Sequence, residues 1–192
     1  MRFLLALLGA SLLMATPRPT PNDFLVVPGH SLGHLQLGDN ANTLSTLGKG
    51  AYGDAAMQKA WGTWYGRRPA NGMAPSELDV YTAPQNNDVD HHTVQVIRAT
   101  SPWFHLANGL RPGSSLEAIR VAYGKLPLVA TFRMADGPHH LYDDMAHGIA
   151  FETDTTAGFG CCQALIVHQA GKLLMQNYLP MPEYLKQVPS AR

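Results

Sequence analysis

Part of this chain is written twice, and that repeat limits its folds more than any other feature. Leu37-Gly38-Asp39-Asn40-Ala41-Asn42-Thr43-Leu44-Ser45-Thr46-Leu47-Gly48-Lys49 reads, with one inserted residue, like Pro112-Gly113-Ser114-Ser115-Leu116-Glu117-Ala118-Ile119-Arg120-Val121-Ala122-Tyr123-Gly124-Lys125. Both stretches read as short capped helices. In the first, Asp39 or Asn40 can cap, Ala41, Leu44 and Leu47 recur at one-turn spacing, and Gly48 stands where a left-handed residue ends a helix. In the second, Ser114 and Glu117 have capping-box spacing, Leu116, Ile119 and Tyr123 form an apolar stripe, and Gly124 stops it. Helices of two or three turns are too short to stand alone in water, so each must lie against something.

The segments downstream of the two helices also match. After Gly48 come Trp61 to Tyr65, then Glu77 to Thr82, then Thr93 to Thr100; after Gly124 come Leu128 to Phe132, Gly148 to Thr153 and Gln163 to Gln169. Alternation and β-branched or aromatic content make these strands. Turn-rich segments between them imply antiparallel meanders. The expected class is α+β: two tandem units, each a short helix packed on an antiparallel β-meander, at 28–110 and 111–175, with a tail at 176–192. Asp54 to Ala60 reads as a further helical turn.

The pattern Pro28-Gly29-His30-Ser31-Leu32-Gly33, then Leu37-Gly38, helix and Leu47-Gly48, echoed at Gly113 to Gly124, resembles the tandem helix-plus-meander proteins typified by the β-lactamase inhibitor protein. It is also similar to the small lipoprotein of the outer-membrane barrel-assembly machinery, which has one such unit. The resemblance implies an exported, non-enzymatic protein that works through protein contacts. This chain has no lipid-attachment Cys near its start and no disulfide-compatible pair across either unit.

The first residues agree with export. Arg2 is followed by the apolar stretch Phe3 to Met14 and the small residue Ala15, which reads as a signal peptide at 1–15. Residues 16–27, with Pro17, Pro19 and Pro21, read as an extended leader. The expected location is periplasmic or extracellular, with no transmembrane segment in the mature chain, because the apolar run is about half of what a spanning helix needs. Formal charges cancel, 14 basic against 14 acidic over 192 residues. No surplus exists to neutralise phosphates, so nucleic acid is not an expected partner. Cys161 and Cys162 are adjacent; two packed thiols, or one cysteine pairing with another chain, are expected rather than a strained vicinal bond.

Three constellations compete for a function. Gly29-His30-Ser31-Leu32-Gly33 fits G-x-S-x-G, which in isolation is the nucleophile elbow of a serine hydrolase, with Asp136 or Asp144 and His168 available downstream. An elbow needs a helix after the serine, and Gly38 stands where it should run. Turns permitted by Gly29 and Gly33 are the plainer reading, and a secreted esterase using Ser31 is the alternative. Nine His invite a metal reading centred on His139 and His140, beside Asp143 and Asp144 in polar, turn-like sequence. Glu77 and Asp79 read as surface carboxylates. The third constellation is aromatic. Trp61, Trp64 and Tyr65, with Trp103 and Phe104, read as core first, but a sheet face left uncovered by the helices would carry Trp64, Tyr65, Tyr81 and Arg98 as a partner-binding surface. The expected function is a non-catalytic module that binds another protein or envelope component through that face, without a cofactor.

Overall fold

The computed structural model describes residues 21–56, 59–70, 73–85, 88–134, 137–155 and 160–177. Residues 1–20, read as the signal peptide and the first part of the leader, lie outside the described residues, as do Asp136 and nearly all of the tail. Among the described residues twelve strands form two sheets. In the small sheet β1 (Leu25–Val27) pairs antiparallel with β2 (Ser31–Leu32), β2 with β3 (Leu35–Gln36), and β1 parallel with β8 (His105–Leu106).

The large sheet is antiparallel throughout. Its strands are β4 (Tyr52–Ala56), β5 (Lys59–Tyr65), β6 (Glu77–Gln85), β7 (Asp88–Ala99), β9 (Leu128–Met134), β10 (Gly137–Asp144), β11 (Ile149–Asp154) and β12 (Cys162–His168). They run in the order β4-β5-β6-β7-β12-β11-β10-β9. The helices are α1 (Leu116–Tyr123), α2 (Leu174–Asn177) and two short 3-10 segments.

This corrects the α+β expectation. The described chain is mainly β, and its eight long strands share one continuous sheet rather than forming two helix-plus-meander units. Val80, Val94 and Ile97 pack in the same apolar cluster as Ile149, Phe151 and Leu165. The first helix fails for a local reason. Ala41–Leu47 is a 3-10 segment with no buried residue, in which Thr43, Ser45 and Thr46 each turn a hydroxyl back onto the carbonyl three residues earlier. Such hydroxyls compete with α-helical bonding, and the stripe of Ala41, Leu44 and Leu47, of which only Leu44 packs partly buried against the core, does not outweigh them.

The second helix forms as read, with one correction. Its cap is Ser115, whose Oγ accepts from Ala118 N at 3.1 Å, while Ser114 Oγ accepts from Arg111 N in the preceding turn. Ile119 is the buried member of the stripe, and Tyr123 meets Phe151 edge-on with centroids 5.1 Å apart.

Two strands depart from the sequence pattern. The helical turn expected at Asp54 to Ala60 is the hairpin β4–β5, with Ala56 opposite Lys59. β10 occupies the polar stretch expected as a turn. Its alternation is real, but the residues it turns inward are His139, Leu141 and Asp143, so the period of two is carried largely by buried polar groups.

The two sheet faces bury different things. On one, Val80, Ile97, Leu165 and Phe151 are covered by Val26, Leu32 and Leu106 of the small sheet and by Ile119 of α1. On the other, Trp61, Tyr81, Val96, Ile166, Ala150 and Leu141 form a second apolar cluster closed by Leu174 of α2. Burying a side chain of this size contributes about 1.5 to 3 kcal/mol. Beyond that cluster the same face carries charged residues.

Candidate functional site

A chain of hydrogen bonds crosses the second face from β5 to β10. Trp61 Nε1 donates to Thr63 Oγ1 at 3.1 Å, and Thr63 Oγ1 donates to Asp79 Oδ1 at 2.6 Å. Arg98 Nη1 donates to Asp79 Oδ2 at 2.6 Å and to Glu77 Oε2 at 3.0 Å. Its Nε and Nη2 grip Glu152 at 2.7 and 3.2 Å, the forked geometry that suits guanidinium and carboxylate. His139 Nδ1 lies 2.8 Å from Glu152 Oε1.

Strand register explains how these residues meet. Asp79 is directly opposite Thr63 and Arg98, while Arg98 is opposite Ile166 and Glu152 is opposite Ala164. The guanidinium therefore crosses β12 diagonally to reach Glu152, and the small Ala164 leaves the passage open. Arg98 is 3% exposed and Asp79 0%.

Burial and pairing pull the two carboxylates apart. Burial alone would raise Glu152, but Arg98 and His139 together overcome it and hold the carboxyl at about 2. An ionised carboxylate only accepts, so His139 Nδ1 is the donor. Asp79 moves the other way. Desolvation raises it above its ordinary range and outweighs the attraction of Arg98, with Glu77 adding repulsion.

One end of this network floors a cleft of about 720 Å³, where Glu77, Arg98, His139 and Glu152 meet the rim residues Arg67, Met73 and Trp103. Trp103 is held at the rim by its neighbours. Its amide donates to Ser101 Oγ at 3.4 Å, its carbonyl lies 2.9 Å from His105 Nδ1, and its ring leans on Phe24 at 5.8 Å between centroids. Thr100 Oγ1 accepts from Glu77 N at 2.7 Å, tying the start of that loop to β6. Even so the indole is 69% exposed, and Met73 is 65% exposed.

The surface expected at Trp64, Tyr65, Tyr81 and Arg98 is not brought together. Tyr81 and Arg98 are buried, and desolvation pushes the Tyr81 phenol up. Trp64 packs against the apolar cluster of the first face, and its Nε1 donates to Gly48 O at 3.1 Å. Only Tyr65 is exposed. The carboxylate Asp79, expected as a surface group, is buried.

Ser31 does not sit on a nucleophile elbow. It begins β2, opposite Val27, is 7% exposed, and leads into a turn and β3 instead of a helix. The motif glycines serve the backbone. Gly29 has φ +68°, and a Cβ there would stand 2.8 Å from His147 O; Gly33 has φ +57°, and its Cβ would collide with Asp23 O. The downstream partners are engaged elsewhere. His168 pairs with Asp143 at 2.9 Å and Asp144 with His147 at 2.7 Å.

His139 and His140 face opposite ways on β10, the first toward Glu152 and the second against Tyr142 on the other face. Among the described residues no group of three or more His, Cys, Asp or Glu could hold a metal ion. Cys161 is exposed and Cys162 buried, both free, with burial pushing the Cys162 thiol up. No helix among the described residues is long and apolar enough to cross a membrane.

Comparison with protein-family models, curated proteins and solved structures gives no match. The cleft itself is the guide to function.

Proposed function

We propose that this chain is an exported, non-catalytic binding protein that receives a segment of another protein or envelope component in the cleft under Trp103. The observation that carries the reading is an exposed Trp and Met standing over a floor of locked charges. Trp, Met and Arg are enriched where protein interfaces bury most deeply, and a few such anchors dominate binding energy. A floor already fixed by Arg98, Glu152 and Asp79 loses little freedom when a partner arrives. The expected sheet face gives way to its rim, because its centre is filled by the second apolar cluster and the ionic chain. Phe3 to Met14 followed by Ala15 supports export.

A benzophenone amino acid placed at position 103, and separately at position 121, tests this in cells that make the protein. Val121 is the control, since it is exposed on α1 over the opposite face. Irradiation should give a discrete protein adduct from position 103 and none from position 121. Equal adducts at both positions, or none at 103, would contradict the proposal.

A further inference from the structure

We propose that the segment received at Trp103 is acidic, carrying carboxylates on both sides of an apolar residue. This rests on the cleft reading and adds the chemistry of the occupant. Trp103 is the wall between two clefts. Beyond the one over Arg98 lies another of about 660 Å³, lined by Pro102, Arg111, Pro112 and Ser114, and the two share Pro102 and Trp103.

Charge on this double cleft is lopsided although the chain as a whole is neutral. Its lining carboxylates, Glu77 and Glu152, both turn toward Arg98, which they share with Asp79. The exposed cations do not share in that compensation. Arg67 lies in the first cleft and Arg111 in the second, and neither forms an ion pair among the described residues. Arg68, also exposed, follows Arg67. A visiting chain therefore meets a positive group on each side of an exposed indole, above acids that are already taken.

Arginine forks hold carboxylates through paired hydrogen bonds, and an extended chain placing alternate side chains downward fits a ridge with a cation on either side. The turn under Arg111 is fixed. Ser114 N donates to Arg111 O at 2.9 Å and Arg111 N donates to Ser114 Oγ at 3.0 Å, so the guanidinium stem starts from a defined point. An apolar side chain of the segment covers Trp103 and Met73, which supply area without selecting charge. The arginines supply the selection.

The test uses the full chain and two short blocked fluorescent peptides, one with Glu flanking a central Leu and one with Lys in place of each Glu. Polygalacturonate, a polyanion without peptide character, is a third probe. The Glu peptide should bind in a polarisation assay, weaken as salt is raised, and lose about tenfold in affinity with Arg67→Glu or Arg111→Glu. Arg120→Glu, on exposed α1, should leave binding unchanged, and urea midpoints should confirm that all three variants fold. Equal binding of the Lys peptide, no binding of the Glu peptide, or indifference to both rim substitutions would overturn the proposal. Binding of polygalacturonate alone would overturn it in favour of an acidic polysaccharide. If position 103 crosslinks to a protein while the Glu peptide fails, the charge argument falls and the cleft reading stands. If position 103 gives no adduct, the cleft reading itself falls.

Discussion

Two hydrogen-bonded polar clusters are buried on the same face of the large sheet, and they differ in what closes them. At one end His168 Nε2 lies 2.9 Å from Asp143 Oδ1, and Asp143 Oδ2 accepts from Leu174 N at 3.0 Å. Leu174 is fully buried, so α2 seals this pair and is fastened by it. At the other end Arg98, Glu152 and His139 are as deeply buried, yet they border a cleft instead of a helix. Burying polar groups is costly in either place, and a buried pair is weak evidence for stability by itself. The sealed pair has a structural use in holding the end of the described chain. The open cluster braces the floor of a cleft, and that contrast, more than any single residue, supports the proposal that the cleft is the binding surface.

The sharpest way to break the comparison is to remove Glu152. Glu152→Ala takes the forked partner from Arg98, which keeps Asp79 and Glu77, and the carboxylate from His139, and should cost about 3 to 5 kcal/mol in urea unfolding. Asp143→Ala should cost about 3 kcal/mol as well, but with a different signature. Hydrogen exchange at the Leu174 amide should speed up while crosslinking from position 103 persists, because only the sealed end has opened.

Acid separates Glu152 from Asp79. Glu152 ordinarily titrates at 4.5 and is held at about 2 in the fold, so its stabilisation is complete above 4.5 and is lost as pH falls toward 2. Asp79 is raised above 3.8, so its ionised form is disfavoured in the fold and protonation relieves that penalty as pH falls. Asp79→Asn should change stability near neutrality by about 1 kcal/mol or less, since an amide can still bond Thr63. It should also steepen the loss of stability in acid, because the opposing contribution is gone. A shallower acid limb in the variant would contradict the assignment.

The smallest effect is expected at the rim. Trp103→Ala should change the free energy of urea unfolding by no more than about 0.5 kcal/mol, as for other exposed sites.

Much of the sheet is legible in the sequence because its strands bury β-branched and aromatic residues at alternate positions. The stretches Trp61 to Tyr65 and Gln163 to Gln169 emerge as β5 and β12, the first starting two residues earlier and the second shifted by one. β10 escapes such a reading because two of its inward side chains are His139 and Asp143, which look like loop residues until Glu152 and His168 are known to face them. The same blindness hides the site. Arg98 stands out in the sequence, but as an exposed hot spot. Its partners lie at Asp79, between Leu78 and Val80, and Glu152, between Phe151 and Thr153. Acids placed on strands flanking an inward arginine are the available signal, and it needs the strand order to be read. Trp103 stands out as an aromatic, while its exposure depends on a loop braced by Thr100, Ser101 and His105 that no local pattern announces.

The proposed binding and the stability of the fold reside in separable parts of one cleft, rim and floor. The most direct measurement places the benzophenone at position 73, with and without Trp103→Ala, and records crosslinking yield beside the urea midpoint of each chain. The account predicts that Trp103→Ala nearly abolishes the adduct while the midpoint stays in place. An adduct of undiminished yield, or a loss of yield matched by a loss of stability, would contradict it.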